Sequence, residues 1–291
     1  KMRIRTIPYA EVAADAAAIQ ASQDTPHPST RSQRFCTAQH LLADILPSVP
    51  ESATFTHETP PWTPYAYTLW QPLIARSQRL RAADSAVAQI PSFLCDDLLR
   101  CHAAWVAMDR VRQTLVDEVV EAWTATRAGR EVARLFDGER KWFVRLDQMS
   151  PKDSPLGGKL PCTTLEEVVM RLGSSMRVYG CLLREREDAL REGREMRIPI
   201  VCNRWDEGMD AAREFRVFVP PPGARMSYGF SFDVIVKEGG VVQVVEINPF
   251  GALSGCGACL FNWARDGRVL YGLDGGEVEF AVTLEEAEGR E

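Results

Sequence analysis

Between Leu94 and Trp123 the apolar residues Leu94, Leu98, Cys101, Trp105, Met108, Leu115, Val119 and Trp123 recur at spacings of three, four or seven. That stripe occupies one helix face and predicts a single long helix over 92–128, with Ser92 placed to cap it and Gly129 to end it. A stripe of this kind packs into a core and is assigned no ligand role. Shorter helices are expected at 9–21, 35–46 and 65–83, with loops rich in Pro, Ser and Thr at 25–32 and 47–64.

After Gly138 the period shortens to two. Strands are predicted at 141–146, 198–202, 214–219, 230–237 and 241–247, and a short helix at 164–172. A capping box, from Thr163 and Glu166 or from Thr164 and Glu167, would open that helix. Residues 184–197, dense in Arg and Glu, read as a solvated helix face with i,i+4 ion pairs. There is no internal repeat.

Two β-branched runs flank Gly239-Gly240, a hairpin signal because glycine tolerates the positive φ that tight turns require. A two-residue turn there sets Asp233 opposite Glu246 and Ser231 opposite Asn248. Strand alternation then brings Asp233, Glu246 and Asn248 to one face. Opposed carboxylates repel each other. A divalent cation bound by hard oxygens would offset that repulsion, and Mg²⁺ held by one or two carboxylates usually shares its other positions with substrate phosphates.

Composition narrows the field. The chain has 291 residues, of which 45% are hydrophobic, and its 34 Lys+Arg against 40 Asp+Glu give a net charge of −6. Only Lys1, Lys141, Lys152, Lys159 and Lys237 are lysines, so no lysine-rich arm for nucleic acid or membrane exists, and the acidic balance argues against whole-surface phosphate binding. No apolar run approaches the roughly 18 residues of a membrane span, and the N-terminal residues lack a signal-peptide core. The eight cysteines are scattered through a chain large enough to bury a core without staples, which predicts thiols in a reducing, cytoplasmic compartment.

Several smaller motifs receive plain readings. Cys256 and Cys259 form a CxxC, but no second pair or His pair completes a zinc site, and no thioredoxin-like βαβ unit follows. The small residues of that loop are expected to let it pass close to a ligand site. His27, His40, His57 and His102 read as surface or core histidines. Gly157-Gly158-Lys159 reads equally as a flap over phosphates or a surface turn. No P-loop and no GxGxxG occur, so any nucleotide site is of another kind.

The stretch from Val245 to Gly251 (VEINPFG), followed by Leu260 to Trp263 (LFNW), resembles the last-strand motif of the cell division cycle protein 123 family, a eukaryotic branch of the ATP-grasp fold. Three further matches keep the family's order: Phe143 to Asp153 (FVRLDQMSPKD), Ile200 to Trp205 (IVCNRW) and Glu214 to Val219 (EFRVFV). The resemblance implies an α+β, two-lobed ATP-grasp fold with antiparallel sheets. Here it would be preceded by a mainly helical region at 1–138, with a small lobe at 139–205 and a large-lobe sheet at 206–291.

It also implies an ATP site between the lobes. Asp233, Glu246 and Asn248 would ligate Mg²⁺. Arg145, with Lys152 in the same motif, would send a cation to the phosphates. Ile200, Val201, Cys202 and Asn203 would form the hinge whose backbone meets adenine, and Arg216 would face the phosphates and the reacting centre. The fork of donors on arginine suits that work.

The chain departs from the pattern. Arg145 replaces the usual Lys, Glu246 the usual Asp, and Asn203-Arg204 a basic pair. Only ten residues separate Val219 from Phe230, where relatives carry a strand, a loop and a helix, so that element is deleted or belongs to a segment absent from this sequence. The family's histidine- and tryptophan-containing start and its C-terminal extension are not recognisable.

Two functions follow. One is an ATP-dependent ligase, with Arg216 and Arg145 as catalytic cations, activating a small-molecule carboxylate as an acyl phosphate that an amine then attacks. The other, implied by the family, is an ATP-binding assembly factor for eukaryotic translation initiation factor 2 acting on its gamma subunit.

Overall fold

The computed structural model describes residues 2–23, 33–38, 40, 42–49, 61–155, 161–221, 229–275 and 277–284. The expected loop at 25–32, most of that at 47–64, His27, His57, Gly157-Gly158-Lys159 and most of the connection between Val219 and Phe230 fall outside them.

In chain order the elements are β1 (Met2–Pro8), α1 (Tyr9–Gln23), α2 (Leu42–Ile45), α3 (Tyr67–Gln78), β2 (Ser85–Ile90), α4 (Ser92–Met108), α5 (Gln113–Ala125), α6 (Arg127–Ala133) and β3 (Trp142–Leu146). There follow α7 (Leu165–Ser174), α8 (Met176–Glu192), β4 (Ile198–Arg204), β5 (Glu214–Val219), β6 (Phe230–Val236), β7 (Val242–Pro249), α9 (Gly267–Leu270) and β8 (Val278–Leu284). The fold is mixed, with antiparallel sheets ordered β2-β4-β3 and β5-β6-β7, and β1 paired with β8 in parallel.

Two compact units share these elements. One gathers Lys1–Tyr65, Ala212–Val236 and Val245–Glu291, and the other Ala66–Ala211 and Lys237–Val244. The expected division at 138 and 205 does not coincide with them. The reason is β2: the supposedly helical region supplies this strand, which pairs with β4 from Ser85↔Asn203 to Ile90↔Ile198 and so ties α4, α5 and α6 to the same unit as β3.

In the first unit the core is aromatic. Phe250, Phe261, Trp263 and Tyr271 pack with Ile45, Val49 and Leu270, and Phe218 of β5 stands edge-on to Trp263 at 5.4 Å between ring centres. Such offset and edge contacts suit the quadrupoles of the rings. Trp263 itself is fully buried.

In the second unit, helices pack around the β2-β4-β3 sheet. The predicted long helix is two. Asp109 takes a left-handed backbone (φ 52°) and returns its N–H to the Trp105 carbonyl at 2.7 Å, ending α4, and the chain restarts at α5. The charged run Asp109, Arg110 and Arg112 is the interruption that the seven-residue gap from Met108 to Leu115 concealed. Pro91, and not Ser92, stands at the start of α4, without a side-chain cap. Gly129 does not end a helix either. It lies in the first turn of α6, its N–H held by the Thr126 hydroxyl at 2.9 Å.

α7 opens as predicted, with Thr164 and Glu167 forming the reciprocal capping box. Gly173 near its end lets α4 approach, because a Cβ there would come within 2.7 Å of the Cys101 Cβ. The Arg/Glu-rich stretch is helical only as far as Glu192, where Gly193 takes φ 64°. Ion pairs in this stretch join Arg191 to Asp188, three residues apart, and Arg194 to Glu185 and Glu192. The helix expected at 35–46 is reduced to the single turn of α2, and that at 65–83 stops where Arg79 turns left-handed (φ 57°).

Candidate functional site

β5 and β6 run antiparallel with Arg216 directly across from Asp233. The side chains meet as a fork on a carboxylate, Nε to Oδ1 and Nη2 to Oδ2, each at 2.6 Å. The third guanidinium nitrogen, Nη1, donates to the Gly257 carbonyl at 2.7 Å. Burial works against the Arg216 cation, but the hydrogen bonds and charge of Asp233 outweigh it and raise its pKa. Asn248 on β7 adds its amide nitrogen to Asp233 Oδ2 at 3.2 Å. Glu246 is buried, and Asp233 is only 1% exposed.

The structure thus brings Asp233, Asn248 and Arg216 together, and Glu246 acts with Asp233 on the neighbouring Cys256 thiol. The turn that was to align them differs from expectation. Gly240 N–H donates to the Lys237 carbonyl at 3.1 Å and Lys237 N–H to the Val241 carbonyl at 2.9 Å, which makes a three-residue loop of Glu238, Gly239 and Gly240. Both glycines are left-handed (φ 78° and 76°), the second at the position where a G1 bulge places glycine. The partner of Val241 is therefore Lys237 and not Glu238.

β7 does not carry that offset as a plain alternation. Its buried positions are Gln243, Glu246 and Pro249, three apart, a spacing a strand of strict period two does not produce.

The donor set suits a hard cation. Two buried carboxylates and an amide offer oxygen, and one residue pair along β6 from Asp233 lies the fully buried Ser231, whose hydroxyl has no hydrogen-bond partner. Since the amide nitrogen of Asn248 faces Asp233, its oxygen, the atom a cation would take, points away from that carboxylate. Among the described residues no group of three or more His, Cys, Asp or Glu is poised to hold a metal. Any cation here would rely on the amide and on ligand oxygens, the usual habit of Mg²⁺.

The CxxC loop adjoins this site. Burial raises the Cys256 thiol, and pushes that of Cys259 up to about 12 despite the nearby Arg216 charge, so both stay protonated at neutral pH.

In the second unit Arg145 is buried on β3, its guanidinium 4.5 Å from the centre of the Tyr67 ring and its Nε donating to the Leu146 carbonyl at 3.2 Å. Asn203 donates to the Tyr67 hydroxyl at 2.7 Å and accepts from Ser85 Oγ at 2.6 Å, and Gln71 donates to Ser85 at 2.9 Å. Lys152 is exposed on the turn after β3.

The residues expected at the hinge lie within a sheet. β4 is the central strand, and Ile200, Val201, Cys202 and Asn203 are paired on one side with Ala88 to Ser85 and on the other with Leu146 to Phe143. Their N–H and C=O groups already serve two ladders, which leaves no N–H free for adenine. Sequence reading missed β2, and without β2 this strand has an open edge.

Neither a protein-family model nor a curated protein matches the chain. Among solved structures, that of Cdc123 from Schizosaccharomyces pombe matches with a TM-score of 0.50 at 19% identity, over 78% of this chain and 97% of that one. The fold is Cdc123-like. At this identity the likeness speaks for the fold and not for the site. The Cdc123-like chain also has no helix, among its described residues, long and apolar enough to cross a membrane.

Proposed function

We propose that the protein binds Mg-ATP, with Asp233, Glu246 and Asn248 as metal ligands and Arg216 as the cation that meets the phosphates. The observation that carries this reading is the Arg216–Asp233 fork inside a patch of buried oxygen donors. An arginine gripping a carboxylate with two parallel bonds has the geometry to grip a phosphate, and a carboxylate so released is free to ligate a cation. Bound Mg²⁺ would neutralise phosphate charge. Arg145 and Lys152 would add positive charge, while positioning and electrostatics supply most of phosphoryl-transfer catalysis.

Used as an enzyme, the site would phosphorylate a small-molecule carboxylate and pass the acyl group to an amine. Arg216 would hold the transferred phosphoryl oxygens, and the Gly257 carbonyl would fix its orientation. A second reading is favoured by one observation, the match to nearly the whole length of the Cdc123 structure. It makes the protein an ATP-binding assembly factor for the gamma subunit of translation initiation factor 2.

Calorimetry with ATP, with and without Mg²⁺, tests the common premise. Asn248→Ala and Glu246→Gln should each abolish the Mg²⁺-dependent part of the affinity, and undiminished binding in both would overturn the metal site. Incubation with pools of acids and amines then separates the uses: acceptor-dependent release of ADP and phosphate marks a ligase, while retention of the gamma subunit without turnover marks the assembly factor.

A further inference from the structure

Four non-glycine residues among those described have left-handed backbone: Cys36, Arg79, Asp109 and Cys259. Arg79 and Asp109 end α3 and α4, where such a conformation is routine. Cys36 and Cys259 end no helix. They face each other: Cys36 N–H donates to the Cys259 carbonyl at 2.6 Å and to that of Phe261 at 3.1 Å, and Ala258 N–H donates to the Thr37 carbonyl at 3.2 Å. Two strained cysteines held by the same set of main-chain bonds are an arrangement that calls for a function.

The Cys36 side chain also leans onto the CxxC loop. A Cβ built on Gly257 would lie 2.9 Å from the Cys36 sulfur, so that sulfur sits over the middle of the CxxC loop. The Cys36 thiol is near enough for its charge to act on Cys259. Cys36 is exposed and Cys259 half-buried. The CxxC that lacked a thiol partner in sequence has one here.

We propose that Cys36 and Cys259 are an oxidisable dithiol, a modification site that closes to a disulfide when the protein meets a peroxide. The exposed Cys36 sulfur attacks one peroxide oxygen, the O–O bond breaks, and Cys36 becomes a sulfenic acid with release of water. The Cys259 sulfur then attacks the Cys36 sulfur. The S–S bond forms, hydroxide leaves and takes the Cys259 proton, and a second water results. Two thiols are oxidised and one peroxide is reduced to two waters. A disulfide needs Cα atoms roughly 4.4–6.8 Å apart, and the main-chain bond from Cys36 N–H to the Cys259 carbonyl makes the two residues direct neighbours.

Closure acts on the loop that holds Arg216. The Gly257 carbonyl accepts from Arg216 at 2.7 Å, and the Cys256 carbonyl accepts from the indole N–H of the buried Trp263 at 2.9 Å. A covalent link two residues after Gly257 changes both contacts. Trp263 makes the change visible whether or not the site takes a nucleotide.

The full chain, purified reduced, is treated with hydrogen peroxide under native conditions and mapped by peptide mass spectrometry. The expected product is a Cys36–Cys259 cross-link, with an intact mass lower by two hydrogens, reversed by dithiothreitol and accompanied by a shift in tryptophan emission. Cys36→Ser should lose the cross-link and the shift, while Cys256→Ser should keep the cross-link. A Cys256–Cys259 bond, sulfinic acid at Cys36 without a cross-link, or no oxidation would overturn the site. A cross-link without the emission shift would overturn the coupling to the loop. None of these outcomes depends on the Mg-ATP reading, which calorimetry on the reduced protein tests separately.

Discussion

Arg216 and Asp233 face each other across β5 and β6 and are joined by two hydrogen bonds of 2.6 Å, with Asp233 almost wholly buried. The pair has two uses that compete. As an ion pair it neutralises a buried carboxylate, and in the proposed site Arg216 would have to exchange that carboxylate for a phosphate. A phosphate that took the Arg216 fork would bind against the strength of this contact. The Gly257 carbonyl gives Arg216 a third anchor that does not depend on Asp233.

The first prediction concerns stability. Removing one member of a buried pair leaves the other charge uncompensated, at a cost of about 3–5 kcal/mol. Asp233→Asn and Arg216→Met should each fall in that range in urea unfolding. The double variant should cost less than the sum by about 0.5–3 kcal/mol, because the two residues share one interaction. Additive costs would show that the pair contributes nothing to the fold. Asp233→Asn is thus no neutral probe of metal binding, and Asn248→Ala and Glu246→Gln serve better.

The second prediction is a pH dependence. Burial works against the charge of Glu167, but the N–H groups of Thr163 and Thr164, at 2.5 and 3.2 Å, and the Thr163 hydroxyl outweigh it and hold its carboxyl below the usual range. A depressed folded pKa contributes stability above the unfolded value, about 4.3, and that contribution is lost as pH falls through the folded value. Glu167→Ala should cost about 0.5–2 kcal/mol near neutral pH, the range of a lost cap. The gap between wild type and variant should narrow in acid. A gap that stayed constant on acidification would mean that the charge is irrelevant.

Local signals in the sequence proved reliable where one short-range force dominates. The run from Glu214 to Val219 is a strand with the predicted ends, and Thr164 with Glu167 is a capping box, because alternation and capping are decided within a few residues. The hairpin around the glycines was legible and so was the meeting of Asp233 with Asn248, but not the register, since the loop has three residues where a two-residue turn was expected. What failed depended on partners distant in the chain. The strand β2, Ser85 to Ile90, carries two alanines and a serine and announces itself weakly, yet it decides that Ile200 to Asn203 have no open edge. The left-handed turn at Asp109 was hidden because a seven-residue gap keeps helical phase across a break. The approach of Cys36 to Cys259 carries no sequence signal at all.

The third prediction separates charge from packing at Arg145. Its guanidinium lies over Tyr67 and its Nε bonds the Leu146 carbonyl. Arg145→Lys keeps the charge but loses the flat stack and that bond, so stability should fall by about 1–2 kcal/mol, read as a lower urea midpoint at unchanged slope. If the charge serves the phosphates, Mg-ATP affinity should stay near wild type in Arg145→Lys and collapse in Arg145→Met. Equal loss in both would assign Arg145 to packing alone.

The last prediction uses Gly257 to ask whether the carbonyl that anchors Arg216 can be displaced from a distance. A methyl group at this position would come within 2.9 Å of the Cys36 sulfur, closer than real side chains approach, while the next atom, the Cys36 carbonyl oxygen, lies at 3.6 Å. Gly257→Ala should therefore force the loop away from Arg216 and cost about 1–3 kcal/mol, the range for overpacking a tight contact. Because the obstruction is one atom at the end of an exposed side chain, Cys36→Ala should be nearly silent alone and should restore most of the loss when combined with Gly257→Ala. Thermal unfolding of the four proteins measures the coupling. A double variant no more stable than Gly257→Ala would place the strain in the backbone of the loop and not in the Cys36 sulfur.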